Sequence, residues 1–253
     1  MIWPLYRYIL MAAMRDRLFL FILGLIVMIF SLSVFFGNSA IVEKDQFARV
    51  FAAFGFRLFG VVSLAMFVIT YLRRCFENRD IEYLLSRPIG RLRFVLTHAA
   101  AFSTLAAVAA LMLGGTTVAL ETGALHDGVW LWWLSIGVEF VIMANVAMFF
   151  AFVMTSASGC MLVVFAFYLL SRLMGDILGI LQGDKLHGVR ALLAQAMEVI
   201  SVFCPRLDMM GQTKWILYDM PPDLPLAFVL GQGLVFTALV IAATCIDMNK
   251  RQF

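Results

Sequence analysis

Four ionisable residues stand inside long apolar runs of this 253-residue chain: Arg57, Glu139, Arg172 and Asp176. Charge at such a depth is costly unless it is paired or lines a polar path, so each is a candidate site residue. Arg57 and Glu139 fall at comparable depths, in the outer halves of their runs, and are placed to pair. Arg172 and Asp176 are four residues apart, which puts them on one face of a helix. Both sets are expected to face the interior of a helical bundle. Structural ion pairs, or charged ends reaching back to water, weigh somewhat more heavily for them than contact with a substrate.

Other chemistry is scarce. No G-x-x-x-x-G-K-[ST] occurs, so the chain is not expected to bind ATP through a P-loop. No G-x-S-x-G elbow is present. The three histidines (His98, His126, His187) are scattered, and the four cysteines (Cys75, Cys160, Cys204, Cys245) are widely spaced without a CxxC pair. Neither a metal site nor an intrachain disulfide is expected. Ser156–Ala157–Ser158–Gly159 superficially resembles the serine turn of an intramembrane protease. That chemistry needs a histidine at matching depth, whereas His98 and His126 stand near span ends. A small-residue turn is the far better reading, and the chain is not expected to be an enzyme or to carry a cofactor.

The elements that must position these residues follow from composition. Hydrophobic residues make up 63% of the chain and charged ones 14%, against about 25% charged in soluble domains. Apolar runs at roughly 18–36, 51–72, 93–120, 129–154, 160–182 and 226–247 are each long enough to span a bilayer as a helix. The expectation is an all-α membrane protein of six spans in a single transmembrane domain, 1–253. The first run follows Arg15–Asp16–Arg17 without a cleavage site, so it reads as a retained span. Residues 1–17 space their apolar positions helically beside Arg7, Arg15 and Arg17, the pattern of a helix lying in the membrane interface. A plain extension of the first span is the alternative. Basic residues favour the N-terminal arm, the 73–93 loop and the tail over the short connections on the other side, which hold only Lys44 and Arg49. Both termini are therefore expected in the cytoplasm.

Two connections stand out. Residues 183–225 are too long for a plain link. They hold the amphipathic stretch GVRALLAQAMEVISVF and then Pro205, Pro221, Pro222 and Pro225. A short helix at the outer surface, dipping in beside the other helices, is expected; irregular backbone at that depth needs protein or water to satisfy it. The other connection is RRCFENRDIEYLLSRPIGRLR. From Cys75 its charges and apolar residues alternate at helical spacing until Arg87–Pro88 ends the helix. Such a helix suits docking in a groove of a soluble partner. A solvated loop with the usual cytoplasmic arginine excess explains the same residues equally well.

The run ENRDIEYLLSRPIGRLRFVLTH closely resembles the signature of ABC-2 type permeases, the membrane subunits of many bacterial ABC exporters. Matching positions are Glu77, Glu82, Leu84, Leu85, Ser86, Pro88, Ile89 and Arg91. Asp80–Ile81 stands where the family often has Gly-Thr, and His98 where it often has lysine. In CPRLDMM, Pro205, Leu207 and Asp208 match a Pro-x-Leu/Phe-Asp element of permeases from multicopper-enzyme maturation systems. The resemblance covers nearly the whole chain. It implies a permease in the bacterial inner membrane that pairs with a second permease copy and is driven by separate ATPase subunits. ATP and Mg would bind to those partners, with export as the implied direction and membrane lipid as the surroundings. The helix at about 75–86 would be the coupling helix, with Arg73 and Arg74 at its hinge. Glu77, Arg79, Glu82, Leu85, Arg87, Pro88 and Arg91 would form the docking surface of the 75–88 loop and its exit. Gly175, Gly179 and Gly183 repeat at four-residue spacing and permit close helix approach. The family implies a subunit interface there, and packing within the chain competes closely. A secondary carrier, or a membrane scaffold without an ATPase, is the alternative function. Carriers often show repeated, broken helices, and no repeat is evident here. No nucleic-acid partner is expected, and the cargo is not legible.

Overall fold

The computed structural model describes residues 2–39, 43–78, 90–120, 127–182, 204–217 and 226–250. Among them every regular element is helical. In chain order these are α1 (Ile2–Arg15), α2 (Leu18–Ser39), α3 (Lys44–Glu77), α4 (Arg91–Leu120), α5 (Asp127–Val153) and α6 (Ala157–Gln182). A 3-10 turn (Leu207–Met209), a one-turn helix α7 (Lys214–Leu217) and α8 (Leu226–Lys250) follow. Six of them, α2 to α6 and α8, are long and apolar enough to cross a membrane. The chain is thus an all-helical protein with the architecture of a multi-pass membrane protein.

The six divide into two groups. In their most apolar stretches, α3, α4 and α5 are 72%, 61% and 67% buried, whereas α2, α6 and α8 are 28%, 28% and 17% buried. The first three therefore form the centre, and the others pack around them. Small residues make the centre close: Ala99, Ala101, Ala106, Ala109 and Ala110 of α4 are all buried, which lets α5 approach along its length. The peripheral α2 buries only the stripe Leu18, Ile22, Leu25, Ile29, Ser33 and Gly37. These recur every three or four residues and face α3, while Phe21, Leu23, Val27 and Phe35 point outward. A residue with that exposure in a span has lipid, not water, as its solvent.

Helix α1 rests on α4 through buried Ile9, Ala12 and Ala13, and leaves Trp3, Arg7, Tyr8, Met11, Met14 and Arg15 exposed. Arg17, at φ 58°, turns the chain from α1 into α2. The second span begins earlier than its apolar run, at Lys44 rather than 51. Asp45 and Arg49 prolong the helix beyond the apolar run without breaking its hydrogen bonds, and hydropathy does not register a helix that continues past the lipid.

Candidate functional site

Arg57 on α3, Glu139 on α5 and Arg172 on α6 come together near one end of the bundle, around the segment 204–217. Glu139 is fully buried. Its Oε1 accepts a hydrogen bond from the Tyr168 hydroxyl at 2.9 Å, and its Oε2 lies 3.9 Å from Arg172 Nη1. Tyr168 precedes Arg172 by one helical turn, so α6 presents both to the same carboxylate.

The two guanidiniums spend their donors chiefly on backbone. Arg172 donates through Nη1 to the Leu207 carbonyl and to the Met210 carbonyl at 2.6 Å, and through Nη2 to that of Gly211 at 3.4 Å. Arg57 Nη1 donates to the same Gly211 carbonyl at 2.5 Å. The Gly211 N–H donates to Ser135 Oγ at 2.9 Å, one helical turn before Glu139 on α5. Three spans thus hold this one residue by both of its backbone groups.

The reason lies in the segment's own structure. Leu207 and Met210 are buried, yet the backbone around them is a 3-10 turn followed by irregular chain, before α7 buries Trp215 and Ile216. A buried carbonyl without a partner costs free energy comparable to a lost hydrogen bond. The Leu207 carbonyl accepts the Met210 N–H within the 3-10 turn and a guanidinium N–H besides, while the Met210 and Gly211 carbonyls, beyond that turn, take their donors from the guanidinium forks. Gly211 sits at φ +54°, a conformation that favours glycine. A Cβ there would lie 3.4 Å from both Glu139 Oε2 and Ile136 Cγ1. Gly175 plays a matching part on α6: any side chain would collide with the Asp208 carboxylate. Asp208 is paired with Arg206 at 2.9 Å, and this pairing raises the Arg206 pKa above its already high ordinary value. Pro205 and Leu207 are buried and Asp208 is half-buried.

Several expectations are revised by this geometry. Arg57 and Glu139 belong to one cluster but make no salt-bridge contact with each other; the guanidinium within ion-pair range of the carboxylate is that of Arg172, at 3.9 Å. Asp176 does not face the interior. It is exposed and makes no ion pair among the described residues. Four residues advance a helix by about 40°, and on a helix as little buried as α6 that rotation carries a side chain over the edge of the packed face. Gly175 clears space for the segment 204–217 and not for a neighbouring helix. Gly179 lies within α6, and Gly183 lies outside the described residues. Tyr168, Ser135 and Gly211 join the cluster without a charge to mark them in the sequence. Tyr168 and Ser135 each stand four residues before a charge of the cluster, Arg172 and Glu139, and that spacing puts them on the same helix face.

The opposite end of the bundle carries the other candidate. Glu77 ends α3 and Arg91 begins α4; Arg79, Glu82, Leu85, Arg87 and Pro88, with most of the expected 75–86 helix, lie outside the described residues. The flanks of the loop are tied to other helices. Arg73 donates to the carbonyls of Ala151 at 2.5 Å and Thr155 at 2.8 Å, capping α5 where it turns into α6. Arg74 pairs with Asp16 at 3.0 Å, at the α1–α2 junction. Arg91 donates to the carbonyls of Met248 and Asn249 at 3.4 and 3.3 Å, near the end of α8. Cations at helix C-termini meet both the free carbonyls and the negative end of the helix dipole.

A third feature is a side-facing cavity of about 790 Å³ between α4, α5 and α8, lined by apolar side chains and Trp130, Trp133 and Thr237. Taken together, these sites hold cations, carbonyls and one buried carboxylate, an arrangement suited to fastening helices to one another and to the segment 204–217. No protein-family model matches the chain, and no curated protein matches it.

Proposed function

We propose that this chain is the membrane-spanning permease subunit of an ATP-binding cassette transporter of the ABC-2 type, working as an exporter in a bacterial inner membrane. The observation that carries the reading is the fastening of the 78–90 loop. Its two flanks, through Arg73, Arg74 and Arg91, reach the ends of α5, α8 and the α1–α2 junction. A soluble subunit that pulled on this loop would move most of the helix ends on that side at once. The resemblance of ENRDIEYLLSRPIGRLRFVLTH to the docking signature of such permeases supports the same partner.

On this reading the loop side is cytoplasmic. Arg7, Arg15, Arg17, Arg73, Arg74, Arg91, Arg93 and Lys250 all belong to that end, which agrees with the excess of arginine and lysine on cytoplasmic faces. Helix α1 lies along the inner interface, and the segment 204–217 faces the outside. Two separate ATPase subunits, holding ATP and Mg, dock on the 75–88 loops of two permease copies. Glu77, Arg79, Glu82 and Arg87 set the register of docking, and Leu85 anchors it. ATP-driven closure of the ATPases shifts the loops as rigid bodies. Helix α3 carries Arg73 at one end and Arg57 sixteen residues away, about 24 Å by helical rise. A push at the inner end therefore arrives at the latch on the outer segment.

Purification from the native membrane in a mild detergent tests the proposal. An ATPase is expected to co-purify and to be lost, or to hydrolyse ATP without coupling, in the Glu82→Arg variant. A chain that purifies alone, with ATP hydrolysis absent at every step, would instead favour a secondary carrier or a scaffold.

A further inference from the structure

We propose that the crevice between α1 and the inner half of α4 is a binding site for one anionic phospholipid, with the lipid phosphate on Arg93 and an acyl chain along Leu96 and Ala100. The crevice has a volume of about 390 Å³ and is lined by Trp3, Tyr6, Arg93, Leu96, Thr97 and Ala100. On α4 the residues 93, 96, 97 and 100 follow helical spacing along one face, so charge gives way to apolar surface with increasing depth. That gradient matches a lipid read from headgroup to tail.

The opposite wall is held in place. Trp3 and Tyr6 stack with ring centroids 5.6 Å apart, and the Tyr6 hydroxyl bonds Thr104 Oγ1 at 2.9 Å. Tryptophan and tyrosine prefer the headgroup level of a bilayer, where an apolar ring and a polar edge are both satisfied. Leu96 and Ala100 are exposed, so the crevice opens sideways to the lipid phase as well as toward the headgroups.

Charge selects the headgroup. Arg93 has no acidic partner among the described residues, and exposed Arg7 stands next to Tyr6 on α1, with Arg15 and Arg17 farther along toward the α1–α2 junction. The acid of that stretch, Asp16, is taken by Arg74. A zwitterionic headgroup would bring its cation against this field with no carboxylate to receive it. A phosphate with net negative charge meets a guanidinium fork suited to its oxygens, and each nearby arginine adds attraction to an anionic lipid. A free phosphate ion would leave the apolar floor at Leu96 and Ala100 uncovered.

Titration of the purified full-length chain in detergent, followed by native mass spectrometry, tests the site. The probes are dioleoylphosphatidylglycerol, dioleoylphosphatidylcholine and glycerol 3-phosphate. Binding of the phosphatidylglycerol is expected about tenfold tighter than that of the phosphatidylcholine, with no binding of glycerol 3-phosphate over the same range. Arg93→Gln should weaken the phosphatidylglycerol about fivefold and leave phosphatidylcholine unchanged. Ala100→Phe, which fills the floor and keeps every charge, should weaken the same lipid and so serves if Arg93→Gln does not fold. Equal binding of the two lipids, binding of glycerol 3-phosphate alone, or full affinity in the variant that folds would overturn the proposal.

Discussion

The two ends of the bundle use the same chemical device in opposite surroundings. At the loop end, Arg73, Arg74 and Arg91 reach across to helix C-termini and to Asp16, with Arg74 half in solvent. At the other end, Arg57 and Arg172 hold carbonyls of an irregular segment beside a carboxylate sealed from solvent. Each set fastens a connection to the spans. Water and salt screen the Arg74–Asp16 pair, so these two can part and rejoin at small cost. The second set has no solvent to fall back on, and loss of one member leaves charge or carbonyl groups stranded. The comparison teaches that one end is fastened in part by contacts that water can replace and the other by contacts that it cannot.

This contrast can be broken most sharply at Arg172. Arg172→Met removes the donor to the Leu207 and Met210 carbonyls and leaves Glu139 with Arg57 as the one guanidinium of its cluster. A loss of about 3–5 kcal/mol is expected on unfolding in mixed micelles, together with rapid proteolysis within 204–217. Tyr168→Phe keeps the packing but takes the hydrogen bond from a buried carboxylate, at a cost of about 1.5–3 kcal/mol by the same assay. Gly211→Ala sharpens the picture in a different way. The backbone must hold φ +54° with a methyl group against Glu139 and Ile136, and a loss of about 1–2 kcal/mol follows from the conformation alone. Smallest is Asp16→Asn at the loop end, where the exposed pair with Arg74 contributes below about 1 kcal/mol. If Asp16→Asn destabilised the protein as much as Arg172→Met, the distinction between the ends would fail.

The sequence carried the spans and the charges, and carried much less of what joins them. Apolar length identifies six helices because lipid imposes it on each separately. Arg57, Glu139 and Arg172 were conspicuous because ionisable residues in such runs demand partners. The partners themselves are mostly backbone carbonyls of residues 207–211, and a carbonyl has no signature in a sequence. Asp176 misled for a related reason: spacing tells which residues share a helix face but not how wide the buried part of that face is. Gly175 suggested helix packing through its repeat with Gly179, while its actual neighbour, Asp208, is 33 positions on in the chain. Arg73 was placed at a hinge, but the α5 terminus that it caps lies 78 positions away.

The most direct measurement follows the reactivity of Cys204, the thiol of the segment 204–217. It is buried at the foot of that segment, and burial pushes its pKa up, so the resting thiol should react slowly. In membranes of a variant with Cys75, Cys160 and Cys245 changed to serine, a membrane-impermeant maleimide would be applied from the outer side, with and without ATP inside. The account predicts faster labelling of Cys204 during ATP hydrolysis, and no acceleration once Glu82→Arg is added. Labelling at one rate in all of these conditions would contradict it, because movement of the loop would then not reach the outer latch.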